Sequence, residues 1–262
     1  MAIIEARGLT KLFPGPEGSE IRALGPLDLS VEAGGFVCIV GPSGCGKSTF
    51  LRLVAGLEAP TSGVLVLTEP EEGERPFDSM VFQGDSTFPW MTVHGNVEYG
   101  LRVRGVPVNR REPVVERMLR VVGLARFAEA YPYQLSGGMR QRVALARSLA
   151  NDPEVFLMDE PFGALDEQNR VLLQDELLRI WDQTEKTVLF VTHSIDEAIV
   201  LADRVLVMSA APGRIIAEFV VPFPRPRAVF DLKRNPLFGE LAFDIWQRLR
   251  EEVNAARAME VA

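Results

Sequence analysis

The sequence predicts an α/β fold, a sheet of buried strands with helices packed on it, and three features carry that prediction. Short apolar runs of strand length occur at Phe36–Val40, Val155–Met158, Thr187–Val191 and Val205–Met208. Near-continuous runs of this kind suit strands covered on both faces. Between them lie helical patterns, the clearest running from Glu167 to about Thr184 with Leu173, Leu177, Ile180 and Trp181 on one stripe. The third feature is the stretch Gly41-Pro42-Ser43-Gly44-Cys45-Gly46-Lys47-Ser48-Thr49, set between the first strand and a helix expected from Ser48 to Leu57.

That stretch satisfies G-x-x-x-x-G-K-[ST], a phosphate-binding loop. Glycines at 41, 44 and 46 let the backbone curl until successive N–H groups converge on one anion-sized spot. Lys47 adds a point charge for β- and γ-phosphates, and the Ser48 hydroxyl is suited to ligate Mg²⁺. The following helix directs its positive end at the same place. A glycine-rich turn with an incidental Lys-Ser pair would not need a strand before it and a helix after it.

The totals bound the remaining choices. The chain has 262 residues, a net charge of −8 and a hydrophobic fraction of 47%, which supports a large core and argues against nucleic acid as the main partner. Two cysteines, Cys38 and Cys45, exclude a disulfide framework and suit a reducing compartment. The N-terminal residues do not follow the pattern of a secretory signal, and no apolar run reaches the roughly 18 residues of a membrane span.

In chain order, Ile3–Ala6 and Leu27–Val31 are expected as short strands around a Pro14–Gly18 loop. Phe13, between them, suits either an ordinary core position or a stacking face for a base. Pro60–Gly63 is expected as a turn, Val64–Leu67 as a strand, and the acidic Thr68–Phe77 stretch as a surface loop. A further strand ends at Ser79–Gln83, leaving polar Gln83 where ligands sit in open α/β sheets. Residues 84–134 read as a mostly helical insertion, in which Phe88-Pro-Trp-Met91 is either core or a docking patch. Ser136, Gly137 and Gly138 precede a helix, a pattern that fits a plain N-cap or a second anion site. Asp159-Glu160 ends an apolar strand, which places a Mg²⁺-holding carboxylate beside a base. His193 follows the next strand, ahead of an expected capping box at Ser194–Glu197, whereas His94 reads as a solvated surface residue. A final helix from Pro236 presents Phe238, Leu241, Ile245 and Leu249 on one face.

Taken as a set and in this order, the motifs resemble the ATP-binding subunit of ABC (ATP-binding cassette) transporters. The carriers are the loop at 41–49, Gln83, Leu135-Ser-Gly-Gly-Met-Arg-Gln-Arg142, Asp159-Glu160, Asp166 and His193. Val81-Phe-Gln83 with Phe88-Pro-Trp90, Glu160–Asp166, and Pro212-Gly-Arg-Ile with Pro224-Arg-Pro-Arg227 look like the nitrate, sulfonate and taurine importer branch. The resemblance implies a P-loop NTPase (RecA-like) core with an antiparallel β subdomain and a helical subdomain. It places an ABC-type ATP-binding domain at 1–230, its helical subdomain at about 84–150, and a helical tail at 231–262. Phe13 then matches the adenine-stacking aromatic, Gln83 the sensor of Mg²⁺ and γ-phosphate, Asp159 the Mg²⁺ holder and Glu160 the base, with His193 on the γ-phosphate. Lys47 completes the catalytic set with Glu160 and His193. Ser136 and Gly138 match residues that reach the ATP of a second subunit, so two cassettes, identical or paired, close over two nucleotides. The implied partners are transmembrane permease subunits and, indirectly, a solute-binding protein, with the chain peripheral on the cytoplasmic face of the cell membrane. Two departures stand out: Gly84 where near relatives often carry Glu, and Ala33-Gly-Gly35 in place of Pro-Gly-Glu. A cassette ATPase working on DNA or ribosomes is the rival. Such proteins usually carry long coiled-coil insertions or a second cassette, neither of which is found here, and the intact Glu160 weighs against a binding module without hydrolysis.

Overall fold

The computed structural model describes residues 1–69, 75–84 and 86–261. Residues 70–74 of the expected surface loop lie outside the described residues. The chain opens with two long strands, β1 (Ala2–Pro14) and β2 (Glu20–Glu32), then β3 (Phe36–Val40) and α1 (Lys47–Val54). β4 (Ser62–Leu67) and β5 (Asp78–Val81) lead into the helices α2 (Val93–Val103), α3 (Val108–Val121) and α4 (Gly137–Ala150). β6 (Val155–Asp159), α5 (Glu167–Thr184), β7 (Thr187–Thr192), α6 (Ile195–Leu201), β8 (Arg204–Met208) and β9 (Ile215–Val220) follow, before α7 (Val229–Lys233) and α8 (Pro236–Val261).

Two sheets result. A six-stranded sheet has the order β5-β6-β7-β3-β8-β9, parallel except for β9, and a three-stranded antiparallel sheet has the order β2-β1-β4. The short strands expected near the N-terminus are really one long hairpin, each arm 13 residues. Its register shifts between Ala6 and Leu9 and again between Leu9 and Leu12, and these irregularities break the alternation that would have revealed its length. Gly63, expected in a turn, lies inside β4.

Alternation along the central strands divides the core in two. Phe36, Cys38 and Val40 of β3 face a cluster that also contains Val97, Leu119, Val143, Leu177, Ile199 and Ile245, from the helices. Val37 and Ile39 face the other way, toward Phe50 and Leu53 of α1 and Ile4, Leu9 and Leu27 of the antiparallel sheet. Burial at roughly 1.5–3 kcal/mol per large apolar side chain holds α1, which at eight residues would be marginal alone. The insertion expected at 84–134 contains α2 and α3, and the final helix puts Phe238, Ile245 and Leu249 into the same core as the parallel sheet.

The proline-rich connection after β9 is fixed by two arginines. The Arg225 guanidinium stacks on Trp181, 3.8 Å from the ring centroid. Arg227 is buried and donates to the carbonyls of Phe223, Val200 and Ala202. Burial, followed by the neighbouring Arg225 charge, pushes its pKa down to about 10.

Candidate active site

The parallel register assembles the site before any side chain is considered. Val40 lies opposite Thr192, Asp159 opposite Val191 and Val81 opposite Met158. Gly41, His193, Glu160 and Gln83 therefore leave the same edge of the sheet, at the carboxyl ends of neighbouring strands.

The phosphate loop lies between β3 and α1. Gly46 takes the N-cap position of α1 with φ 101°, and a Cβ there would come within 2.6 Å of the Ala23 carbonyl oxygen, so only glycine fits. Lys47 is buried and curls over its own loop, with Nζ donating to the carbonyls of Gly41 (2.9 Å) and Pro42 (2.8 Å). Cys45 is buried behind it, and that burial raises the thiol's pKa despite the nearby Lys47 charge. Ser43 and Gly44 form the exposed tip of the loop, with Pro42 buried and Thr49 half-buried.

Ser48 Oγ donates to Asp159 Oδ1 at 3.0 Å, which joins the loop to the end of β6. Burial pushes the Asp159 carboxyl up, opposed by the Ser48 hydrogen bond and the Lys47 and Arg52 charges. A buried carboxylate paired with a hydroxyl is an oxygen-only donor pair that a hard divalent cation would stabilise, so Mg²⁺ fits here. Among the described residues no group of three or more His, Cys, Asp and Glu side chains is arranged to hold a metal. An ion at this pair would be completed by substrate phosphates.

Glu160 has φ 48°, the left-handed region that costs a non-glycine residue of order 1–3 kcal/mol. The same carboxylate oxygen, Oε2, accepts a hydrogen bond from Gln83 Nε2 at 3.2 Å and lies 3.2 Å from His193 Nδ1. Three strand-end loops thus meet on one oxygen atom. Behind His193, the expected capping box forms only halfway. Ser194 Oγ accepts from the Glu197 N–H, but the Glu197 carboxylate takes the Thr192 hydroxyl (2.6 Å) instead of returning to Ser194. Burial raises the Glu197 pKa, against the Thr192 hydrogen bond and the Arg170 charge.

Other expected residues lie further off. Phe13 is half-buried near the end of β1, paired with Ile21 and covered on one face by Lys11 Nζ at 4.8 Å, and it is absent from both core clusters. Ser136 caps α4 by accepting from the Met139 N–H, and it and Gly137 are exposed. Asp166 caps α5 through Asn169, and those hydrogen bonds lower its pKa. His94 is half-buried rather than solvated, since Nε2 lies 2.9 Å from Glu112 Oε2.

In the Phe88–Met91 stretch, Trp90 is 69% exposed and stacks on Phe88, whose ring also lies 4.7 Å from Arg147. Fully buried Asn96 pins this turn, accepting the Phe88 N–H and donating to the carbonyls of Phe88, Met91 and Thr92. The cluster is a surface feature held in shape from below.

Gly213, in the turn before β9, packs against the phosphate loop, where a Cβ would lie 2.0 Å from the Cys45 carbonyl oxygen. A Gly-Arg after proline carries only a turn signal, so nothing local announces this contact. Gly213→Ala is expected to cost ~1–3 kcal/mol through overpacking and to weaken nucleotide binding, checked by calorimetric melting and a fluorescent-nucleotide titration.

The ABC transporter family model matches residues 24–163, more than half of the chain. A taurine import ATP-binding protein from Jannaschia sp. is 44% identical over 94% of this chain and 93% of its own length. A nitrate import ATP-binding protein from Synechocystis sp. is 45% identical over 94% and 95%. Among solved structures, a dimeric ATP-binding cassette in a post-hydrolysis state, bound to ADP and Pi, superposes with a TM-score of 0.75 at 32% identity, covering 84% of this chain and all of that one. With the phosphate loop, the β6 acidic pair and His193 at one sheet edge, these similarities lead to one conclusion: the chain belongs to the ABC transporter family, among its ATP-binding proteins.

Proposed function

We propose that two copies of this cassette, or this chain and a paired cassette, hydrolyse ATP to drive uptake of a nitrate-, sulfonate- or taurine-like solute through separate permease subunits. The observation that carries the catalytic part is the convergence of Gln83 and His193 on Glu160 Oε2, next to the Ser48–Asp159 pair. In this reading the loop N–H groups of 41–49 and Lys47 hold the β- and γ-phosphates, and Lys47 exchanges its bonds to Gly41 and Pro42 for phosphate oxygens. Phe13 stacks on adenine. Ser48 and Asp159, with Gln83 nearby, hold Mg²⁺, which neutralises charge building up on the phosphate oxygens. Glu160 takes the proton of the attacking water, and His193 steadies the γ-phosphate. Exposed Ser136 and Gly137, with Gly138, serve the ATP held by the opposite cassette, and Asp166 lies at the same junction. In this reading the ATP-binding domain is residues 1–230 and the helical tail 231–262, whose α8 packs on α6 and β8.

Among the described residues no helix is long and apolar enough to cross a membrane. In this reading the chain is attached through permease subunits on the cytoplasmic face, and a solute-binding protein acts through them. Names of the taurine and nitrate relatives support the importer branch. The deciding experiment reconstitutes the chain with its permease subunits in liposomes and follows ATP hydrolysis with taurine or nitrate and a binding protein. Solute-stimulated hydrolysis is expected. Stimulation by DNA or ribosomes, with none from permease, would install the rival reading.

Exposed Trp90, stacked on half-buried Phe88, is where a short helix of a permease subunit would seat. Trp90→Asp is expected to reduce complex assembly at least about tenfold, on the scale of losing an aromatic anchor. The isolated chain's melting temperature and basal hydrolysis should change little. A folded variant that assembles with the permease as the parent does would overturn this placement.

A further inference from the structure

Gln141 is 3% exposed although it lies between Arg140 and Arg142 on α4. Its two polar atoms are both spent on the loop that follows β6. Nε2 donates to the Glu160 carbonyl at 3.0 Å, and Oε1 accepts the Ala164 N–H at 2.9 Å. The partners fix which way the amide faces, because a carbonyl only accepts and a backbone N–H only donates. Glu160 is also held from the opposite side, its N–H donating to the Val191 carbonyl of β7 at 2.9 Å. Below the loop, Phe162 and Leu165 are buried and fasten it to the core.

Gly138 precedes Gln141 by three positions, so both lie on one face of α4. A Cβ at Gly138 would come within 3.2 Å of the Ala164 carbonyl oxygen and 3.3 Å of Leu165 Cδ2. The first turns of α4 and the loop 160–164 are therefore in direct contact at two points, one steric and one hydrogen-bonded. The backbone held in this way belongs to the residue with the disfavoured φ of 48°.

We propose that Gln141 is a positioning residue for the general base. It fixes the backbone of Glu160 relative to α4, the helix whose N-terminus carries Ser136 and Gly138. The direction of the Glu160 carboxylate then depends on where that helix sits. Seating the α4 N-terminus on a nucleotide reaches the base through one buried side chain rather than through the long insertion. The inference rests on Glu160 being the base, as proposed above.

The test is a double-mutant cycle on the full-length chain, read in single-turnover ATP hydrolysis and fluorescent-nucleotide binding. Gln141→Met keeps the side-chain length and removes both hydrogen bonds. It is expected to lower kcat about 10–100-fold, the scale of a misaimed reacting group, with KM for ATP within about threefold of the parent. In the Glu160→Gln background the same substitution should have no further effect, because its route to the chemistry is already gone. Gln141→Glu keeps the acceptor for Ala164 but sets an oxygen against the Glu160 carbonyl; it should also lower kcat, and it decides the matter if Gln141→Met does not fold. Equal losses in both backgrounds, or a kcat within twofold of the parent, would overturn the proposal. If Glu160→Gln itself turns over normally, the base assignment fails first and is recognised separately.

Discussion

Glu160→Gln is expected to retain ATP binding while turnover falls by about 10²–10⁴-fold, the usual range for removing a general base. The amide has the carboxylate's shape, carries the same backbone cost at φ 48°, and can still meet Gln83 and His193. What it lacks is a site for the water's proton. Binding is checked by nucleotide titration and turnover by phosphate release. Parent-like hydrolysis would mean that another group accepts the proton, and the meeting of three loops on Oε2 would have a purely structural purpose.

The second large effect concerns which nucleotide each anion site serves. Among the described residues Ser136 and the phosphate loop share no hydrogen bond, and the α4 N-terminus is exposed. Lys47→Ala removes the charge that lies over the loop; Ser136→Arg fills the α4 N-terminus with bulk. Each variant alone should lose ATP-driven pairing and on the order of 10²–10³-fold in hydrolysis, the scale of one charge-stabilising donor. Mixed together, they should pair again if the sites are shared across cassettes, since both defects then fall in one site and the other is intact. Light scattering with ATP reads the outcome. With folding and subunit exchange verified, failure of the mixture to pair would argue for sites completed within a single chain.

The parts of this molecule legible in the sequence are those whose signal is local. The glycine loop, Asp159-Glu160 and His193 each sit at the end of an apolar run, so strand, turn and polar tip are read within ten residues. The parts that escaped are set by distance along the chain. Gln141 lies in a basic stretch that reads as a solvated helix face, and only the approach of the 160–164 loop, about twenty residues later, buries it. Gly213 lies against Cys45 across most of the chain, and Asn96 looks like any helix-surface amide until the preceding turn folds over it. His94 misled for the same reason, as its partner Glu112 belongs to the next helix. Phe13 stayed ambiguous because residue type cannot distinguish a half-buried ring on a sheet from one in a core.

The parallel register of β5, β6, β7 and β3 also sets which length changes the chain can absorb over generations. Neighbouring strands lie ~4.8 Å apart and each residue advances ~3.3 Å, so the groups proposed as catalytic are spaced by strand pitch rather than by loop length. Deleting one residue from β6 would draw Asp159 and Glu160 back by about 3.3 Å and turn each to the wrong face of the sheet. An insertion in the turn at 104–107, between α2 and α3, would leave every one of those separations untouched. Descendants of this sequence are therefore free to gain and lose residues between α2 and α3, while a single-codon deletion inside these parallel strands is closed to them.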